Sequence, residues 1–328
     1  MRLTFKEKEI VQILQMEPLI SQDELAKRLG ISRSSVAVHI SNLMKKGFIL
    51  GKGYVFNQKK SIVILGEVHL SVNVFMEHEK TTIDVVPGGF AVEVGETLAY
   101  FGTEARIFTM VGNDELADQM KSHMKKHNMD IQTVYRHPDL RTSRRILFNN
   151  DIQYEESIIF KAFLDYIDRQ EWTISHCDYL IIQEKYQEYL SSKLTKNEIF
   201  PRLCGGLLVS KDIPIYLSQY SIVVLGTHDL NNRDYYIAQA SQLVENGVEH
   251  CLITDGCNGI IYKSRKEIQD ITLMPNQMFN PALQMHSFLA GMVFGISAGY
   301  PSRQAIRIAV GSVTNGNRKV EEFTSMID

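Results

Sequence analysis

The sequence predicts an α/β protein in two parts: a small helical module ending in a β-hairpin over residues 1–60, and a larger domain over residues 61–328 built on a mainly parallel sheet. Three observations carry this prediction. Charge is split unevenly along the chain, helix-capping signals punctuate the first fifty residues, and short apolar runs recur afterwards at spacings that leave room for crossover helices.

The composition, 44% hydrophobic and 22% charged over 328 residues, is that of a globular chain large enough for an α/β unit with an appendage. Residues 1–60 hold eleven Lys or Arg against five Asp or Glu, a net of +6, and the remaining 24 basic and 33 acidic residues leave −9. A basic module joined to an acidic one suggests that one end meets a polyanion, because phosphate neutralisation supplies most non-specific nucleic-acid affinity. A solvated charged face is the competing reading. The charged start runs directly into a helical pattern without a signal-peptide apolar region, and Met285–Tyr300 is broken by His286, Ser287, Ser297 and glycines. A cytoplasmic chain without a membrane segment is therefore expected. Cys177, Cys204, Cys251 and Cys257 lack paired C-x-x-C spacing, so buried free thiols and no metal site are expected.

In the first module, Thr4-Phe5-Lys6-Glu7 is a capping box that opens a helix near Phe5, with Ile10, Val11, Ile13 and Leu14 on one stripe and Pro18 barring continuation. Ser21-Gln22-Asp23-Glu24 repeats the signature and starts a short helix that carries Leu25, Ala26 and Leu29 inward before Gly30 stops it. Ser32 then caps a third helix across a tight Gly30-Ile31 turn. Its buried stripe is Val36, Ile40 and Leu43, while Arg33, Ser34, Ala37 and Ser41 point outward, small or polar as a major groove requires. Phe48–Phe56 alternates around Gly51-Lys52-Gly53, a hairpin with a basic tip. The module resembles the winged helix-turn-helix of bacterial transcription regulators. That resemblance implies contact with double-stranded DNA through Ser32, Arg33, Ser34, Ser35 and Ala37, with Lys52 on phosphate.

In the larger domain, Ser61–Gly66, Tyr179–Ile182, Ile222–Leu225 and Cys251–Thr254 read as buried parallel strands. Thr81–Val86 and Arg144–Ile159 read as an antiparallel flap, half exposed by their alternation. Four ordered segments carry a further resemblance: "PGGFAVEVGETLAYFG" from Pro87, "TMVGNDELADQM" from Thr109, "LITDGCNGIIY" from Leu252, and "FNPALQMHSFLAGMVFGI" through Phe288-Leu289-Ala290-Gly291. Together they resemble the PfkB (ribokinase) family of carbohydrate kinases. The resemblance implies a ribokinase-like α/β/α sandwich with a small β lid, and some relatives, including kinases similar to pseudouridine kinase, carry an N-terminal winged helix. In that family Gly88 and Gly89 approach the sugar, and Thr254, Gly256 and Gly259 lie beside the nucleotide.

This sequence departs from the family pattern at every functional element. The Gly-Ala-Gly-Asp of active members falls on Leu283-Gln284-Met285-His286, so the proton-accepting carboxylate has become imidazole and side chains occupy an anion pocket that should be bare. The family's sugar-binding Asp falls at Ser71 and its sugar-binding Asn at Glu93. The Asn-x-x-Glu motif for magnesium and phosphate falls at Gly226-Thr227-His228-Asp229. Individual residues have plain alternatives: His286 as a helix-start residue, Glu93 as an ordinary helix carboxylate, and the Thr254–Gly259 glycines as requirements of a tight turn.

These readings point to a DNA-binding regulator whose kinase-like domain senses a nucleoside or sugar or serves for dimerisation through the flap. It would need no cofactor, with ATP and magnesium bound only if nucleotide binding survives. An active kinase with an atypical site and an interaction scaffold without specific DNA binding are the alternatives.

Overall fold

The computed structural model describes residues 4–17, 20–45, 49–51, 55–56, 60–77, 80–149, 151–156, 160–194, 201–209 and 213–325. Backbone contacts divide the chain into two compact units, Met1–Lys59 and Lys60–Asp328.

The first unit holds α1 (Phe5–Met16), α2 (Gln22–Leu29), α3 (Arg33–Lys45) and the antiparallel pair β1 (Ile49–Gly51) and β2 (Val55–Phe56). The capping box at α1 forms in full: Thr4 Oγ1 accepts from Glu7 N at 3.3 Å, and Glu7 Oε2 accepts from Thr4 N at 2.7 Å. Ser21 Oγ accepts from Glu24 N at 3.1 Å, and Gly30 ends α2 at φ 63°, a left-handed conformation in which glycine carries no Cβ penalty. Ile10, Leu14, Leu25, Val36, Ile40 and Leu43 close one small core. Pro18 and the Lys52-Gly53 tip lie outside the described residues.

The second unit is a three-layer α/β/α sandwich. Its strands are β3 (Ile62–Leu65), β6 (Ala105–Val111), β7 (Val134–Arg136), β10 (Tyr179–Ile182), β11 (Arg202–Leu208), β12 (Ile222–Gly226), β13 (His250–Thr254), β14 (Ile260–Ser264) and β15 (Ile268–Ile271), in the order β15-β14-β13-β12-β11-β10-β3-β6-β7. Pairing is parallel from β7 to β13, and β14 and β15 are antiparallel at one edge. Alternation along β3 places Ile62 and Ile64 in the core under α4 (Phe90–Tyr100), α5 (Glu115–Lys126), α10 (Pro281–Ser297) and α11 (Ser302–Ser325). Val63 and Leu65 face the opposite core under α6 (Phe160–Arg169), α7 (Glu171–Ser175), α8 (Glu184–Leu194) and α9 (Arg233–Glu245).

A second sheet forms the lid, in the order β5 (Lys80–Gly88), β4 (His69–Glu77), β8 (Arg144–Phe148) and β9 (Asp151–Glu156). The expected antiparallel flap is corrected here. β4 is its longest central strand, and β4 pairs with β8 in parallel, giving a mixed sheet. A second expectation also changes: Cys257 is exposed on the β13–β14 turn, and all four cysteines are free. Among the described residues no helix is long and apolar enough to cross a membrane.

Candidate functional site

The outward face of α3 is assembled by its cap. Ser32 Oγ accepts from Ser35 N at 3.1 Å and its carbonyl accepts from Val36 N at 3.1 Å, while the hydroxyls of Ser34 and Ser35 lie 2.9 and 2.8 Å from Ser32 Oγ. Three hydroxyls thus cluster at the positive end of the helix, where unsatisfied amides and the helix dipole favour an anion. Ser32, Arg33, Ser34 and Ala37 are exposed, and Ser35 is half-buried. Val38, which sequence reasoning did not single out, is 58% exposed between Ser34 and Ser41 and offers the apolar contact a thymine methyl accepts. Arg33 is partly engaged, with Nη1 3.5 Å from Asp23 Oδ2. Lys52 lies outside the described residues.

In the second unit the chain reverses its direction of strand addition between β3 and β10. Such a switch point opens a crevice at the carboxyl ends of a parallel sheet. Polar groups bridge the crevice: Glu67 N donates to Gln183 Oε1 at 2.8 Å, Tyr186 donates its hydroxyl to Glu67 Oε1 at 2.6 Å, and Lys185 pairs with the same carboxylate. Gly89, at φ 99°, brings the lid's end against this loop so closely that a Cβ would meet Glu67 O at 2.8 Å and His69 Nδ1 at 3.0 Å. At Gly88 a Cβ would lie 3.1 Å from Ser71 Oγ, so Ser71, Gly88 and Gly89 do share one wall.

Glu93, in the first turn of α4, and His286, near the start of α10, meet across this crevice with Oε2 to Nδ1 at 2.7 Å. The His286 ring also packs edge-on to Phe90, with centroids 4.9 Å apart. Burial pushes the Glu93 carboxyl up, but the hydrogen bond and charge of His286, helped by His69 and Arg145, bring it below its ordinary value. Burial and the charge of Arg145 hold His69 below the usual imidazole range, so it presents a neutral ring near pH 7. Glu184, at the start of α8, is pushed up by its burial, partly offset by the charge of His286. His69 and Arg145 were missed in the sequence because lid strands carry no motif. Their only signal was position, with Arg145 in register with Ser71 across β4 and β8.

The start of α10 corrects one expectation. Leu283 and Met285 do not close the anion pocket with their side chains: Leu283 is 60% exposed, and Met285 is buried in the core against Gly206 and Gly226, where an added Cβ would meet its Cγ at 3.1 Å and its Cε at 2.3 Å. The free amides are used in another way. The helix begins at Pro281, which has no N–H, Asn280 Oδ1 accepts from Ala282 N at 2.9 Å, and Asn280 O accepts from Leu283 N at 3.0 Å and Gln284 N at 2.9 Å. Gln284 completes the cap, its Oε1 accepting from Asn280 N at 2.9 Å and its Nε2 donating to Val313 O at 3.0 Å. The first donors of the helix are therefore all committed within the chain.

On the far side of α10 lies a cavity of about 240 Å³, lined by Leu208, Gly226, Thr227, His228, Asp255 and Asn280 among others. This is smaller than the roughly 300–1,000 Å³ usual for sites that enclose a drug-sized ligand. Thr254, Gly256 and Gly259 form one of its turns: Thr254 Oγ1 donates to Gly259 O at 2.7 Å and accepts from Gly256 N at 3.0 Å. Gly256, at φ 73°, passes so near Phe279 that a Cβ would lie 2.1 Å from its carbonyl. Thr227 Oγ1 bonds to Asp229 O and Tyr236 Oη, and Asp255 is spent on Cys257 N, Asn258 N and the Asn258 amide.

Comparison with known proteins agrees with both units. Residues 6–49 match winged helix-turn-helix DNA-binding domains, and residues 59–194 match the pfkB family of carbohydrate kinases. An uncharacterized sugar kinase of Escherichia coli (strain K12), YeiI, is 30% identical over 138 residues; the match covers 40% of this chain and only 38% of that relative's length. Ribokinase from Thermotoga maritima superimposes with a TM-score of 0.60 at 17% identity, covering 76% of this chain and 90% of that one. Arabidopsis thaliana ribokinase complexed with ribose and ATP gives 0.56 at 13% identity, with 76% and 90% covered. The chain thus carries an N-terminal winged helix-turn-helix and a PfkB carbohydrate kinase domain of ribokinase-like fold.

Proposed function

We propose that this protein is a DNA-binding transcription regulator whose PfkB domain binds a small polyhydroxylated metabolite, a nucleoside or sugar, and transfers no phosphate at a useful rate. One observation carries the reading: the amides at the start of α10, which would have to face a transferring phosphate, are consumed by Asn280, and Glu93 and His286 satisfy each other. Phosphoryl transfer rests on positioning and electrostatic stabilisation, so a helix end without free donors forfeits most of the catalytic effect. The reading requires neither ATP nor magnesium, although the turn from Thr254 to Gly259 retains a shape that a nucleotide could meet.

The crevice still suits a ligand. Its walls present the Glu93–His286 pair; Ser71 and His69 both border Gly88, and the charge of Arg145 acts on Glu93 and His69. An effector acts on DNA binding only if it prefers one state of the protein, and dimerisation supplies a way to couple the two activities. The lid exposes Ile83, Val85, Ile146, Phe148, Ile152 and Tyr154, an apolar sheet surface that a second copy would cover.

A working kinase is the second reading, favoured by one specific feature: an imidazole oriented by a carboxylate is the arrangement of a general base. Both readings are tested by pairing turnover against a panel of sugars and nucleosides with operator affinity in the presence of the same compounds. Turnover near one per second or faster, ordinary for enzymes at about 1–10³ per second, supports the kinase. Absent turnover with a compound-dependent shift in operator affinity supports the regulator.

A further inference from the structure

Away from the crevice, Glu96 of α4, His123 of α5 and His127, which caps the end of α5, converge on one point. The two histidines are four residues apart at the end of α5, so their imidazoles stand on the same side of the helix, with ring centroids 4.5 Å apart. Glu96 comes from the neighbouring helix. Its Oε1 lies 2.6 Å from His123 Nε2 and 3.8 Å from His127 Nε2. All the available ligand atoms lie within 4.8 Å of one another.

We propose that Glu96, His123 and His127 bind a divalent cation of the zinc type, with water in the fourth position, clipping α4 to α5. Nitrogen and oxygen ligands about 2.0–2.1 Å from a tetrahedral zinc stand roughly 3.4 Å apart, between the two separations found here. Entry of the ion replaces the His123–Glu96 hydrogen bond. Two imidazoles and one carboxylate select zinc, cobalt or nickel over magnesium and calcium, which take all-oxygen shells. The histidines close the carboxyl end of α5, where the helix dipole favours a cation, although Lys125 and Lys126 on the same turn oppose it. The side chains are 23–34% exposed, so an ion reaches them from solvent. Glu96 follows Glu93 by one helical turn, and the clip would therefore hold the helix that carries the crevice carboxylate.

The test uses full-length protein stripped with a chelator, then titrated with zinc chloride by calorimetry and with cobalt(II) by absorption. One ion per chain is expected at micromolar affinity or better. Glu96→Gln, and His123→Asn with His127→Asn, should each weaken binding by about tenfold or more. Circular dichroism confirms that these partly exposed substitutions leave the fold intact. The cobalt complex should show d–d bands without thiolate charge transfer, which distinguishes the site from the four free cysteines. Three results would overturn the proposal: no zinc binding by the wild type, unchanged affinity in the variants, or a thiolate band.

Discussion

His286 Nδ1 lies 2.7 Å from Glu93 Oε2, joining two residues 193 positions apart in the sequence. The pair closes on itself, and its protonation is coupled to folding. The Glu93 carboxyl, raised by burial but lowered further by His286, His69 and Arg145, titrates below its unfolded value. A carboxyl depressed on folding stabilises the native state above the unfolded pKa, and that contribution fades as pH falls through the folded one. Both side chains are about 40% exposed, so solvent limits the pair to about 1 kcal/mol or less. Glu93→Gln should therefore lower Tm modestly near neutral pH, and the gap should close only as pH falls through the lowered Glu93 pKa. Thermal scans that show the gap widening on acidification would contradict this assignment.

Replacing the His286 imidazole by a carboxylate gives a second test. His286→Asp would set two carboxyls side by side at Glu93, so one of them must hold its proton and the local pairing is lost. Turnover with any sugar or nucleoside should stay undetectable in the single variant, because Asn280 still occupies the amides of Ala282, Leu283 and Gln284. Recovery of kinase activity by this one change would show that the base alone was missing.

The sequence made the N-terminal module legible because its signals are local. Thr4 with Glu7, Ser21, Gly30 and Ser32 act within three or four residues, and all cap where the spacing places them. The parallel strands Tyr179–Ile182, Ile222–Gly226 and His250–Thr254 were legible as uninterrupted apolar runs. β11 was not, because Gly205 and Gly206 interrupt its apolar run. Their bareness is a tertiary requirement, since a Cβ at Gly205 would meet Gln187 Nε2 at 2.7 Å, and one at Gly206 would meet Met285 Cγ at 3.1 Å. Alignment to a motif brought Glu93 and His286 into view separately, but their contact depends on how α4 and α10 converge. The direction of the Met285 side chain was likewise illegible, because it depends on where α10 begins relative to Asn280.

Gln284 should matter for stability because it joins two helices. It accepts from Asn280 N and donates to Val313 O, tying the start of α10 to α11. Gln284→Ala removes both bonds from a half-buried setting and should cost about 1–3 kcal/mol. Gln284→Glu keeps the acceptor and loses the donor, so it should fall between the two in urea denaturation. Equal stability of all three proteins would contradict the latch.

The lid offers a test of assembly. Ile83 and Tyr154 are 61% and 48% exposed on a sheet whose apolar surface has no covering element among the described residues. Sedimentation at micromolar concentration should give a dimer for the wild type and a monomer for Ile83→Glu with Tyr154→Lys, with circular dichroism unchanged. A wild-type monomer, with and without DNA, would remove the lid as an interface.

The first unit should bind duplex DNA through the face of α3, and its residues divide by what they can contact. Arg33 is 68% exposed and only loosely held by Asp23 at 3.5 Å; a phosphate or guanine edge competes well with such a solvent-screened pair. Lys52 belongs to the wing by sequence and should add a phosphate contact. Lys52→Ala is therefore expected to weaken all sequences alike and to reduce the salt slope by about one. Arg33→Ala should cost about 1–3 kcal/mol if it reads a base, and the loss should depend on the operator position it faces. Val38→Ser serves as the contrasting change, because it removes apolar contact without altering charge: affinity should fall for a site with thymine at the facing position, and the salt slope should stay the same. Fluorescence anisotropy with a selected operator, at several salt concentrations, measures all three. If Arg33→Ala and Lys52→Ala both leave operator affinity unchanged, α3 and the wing are not the DNA-binding elements.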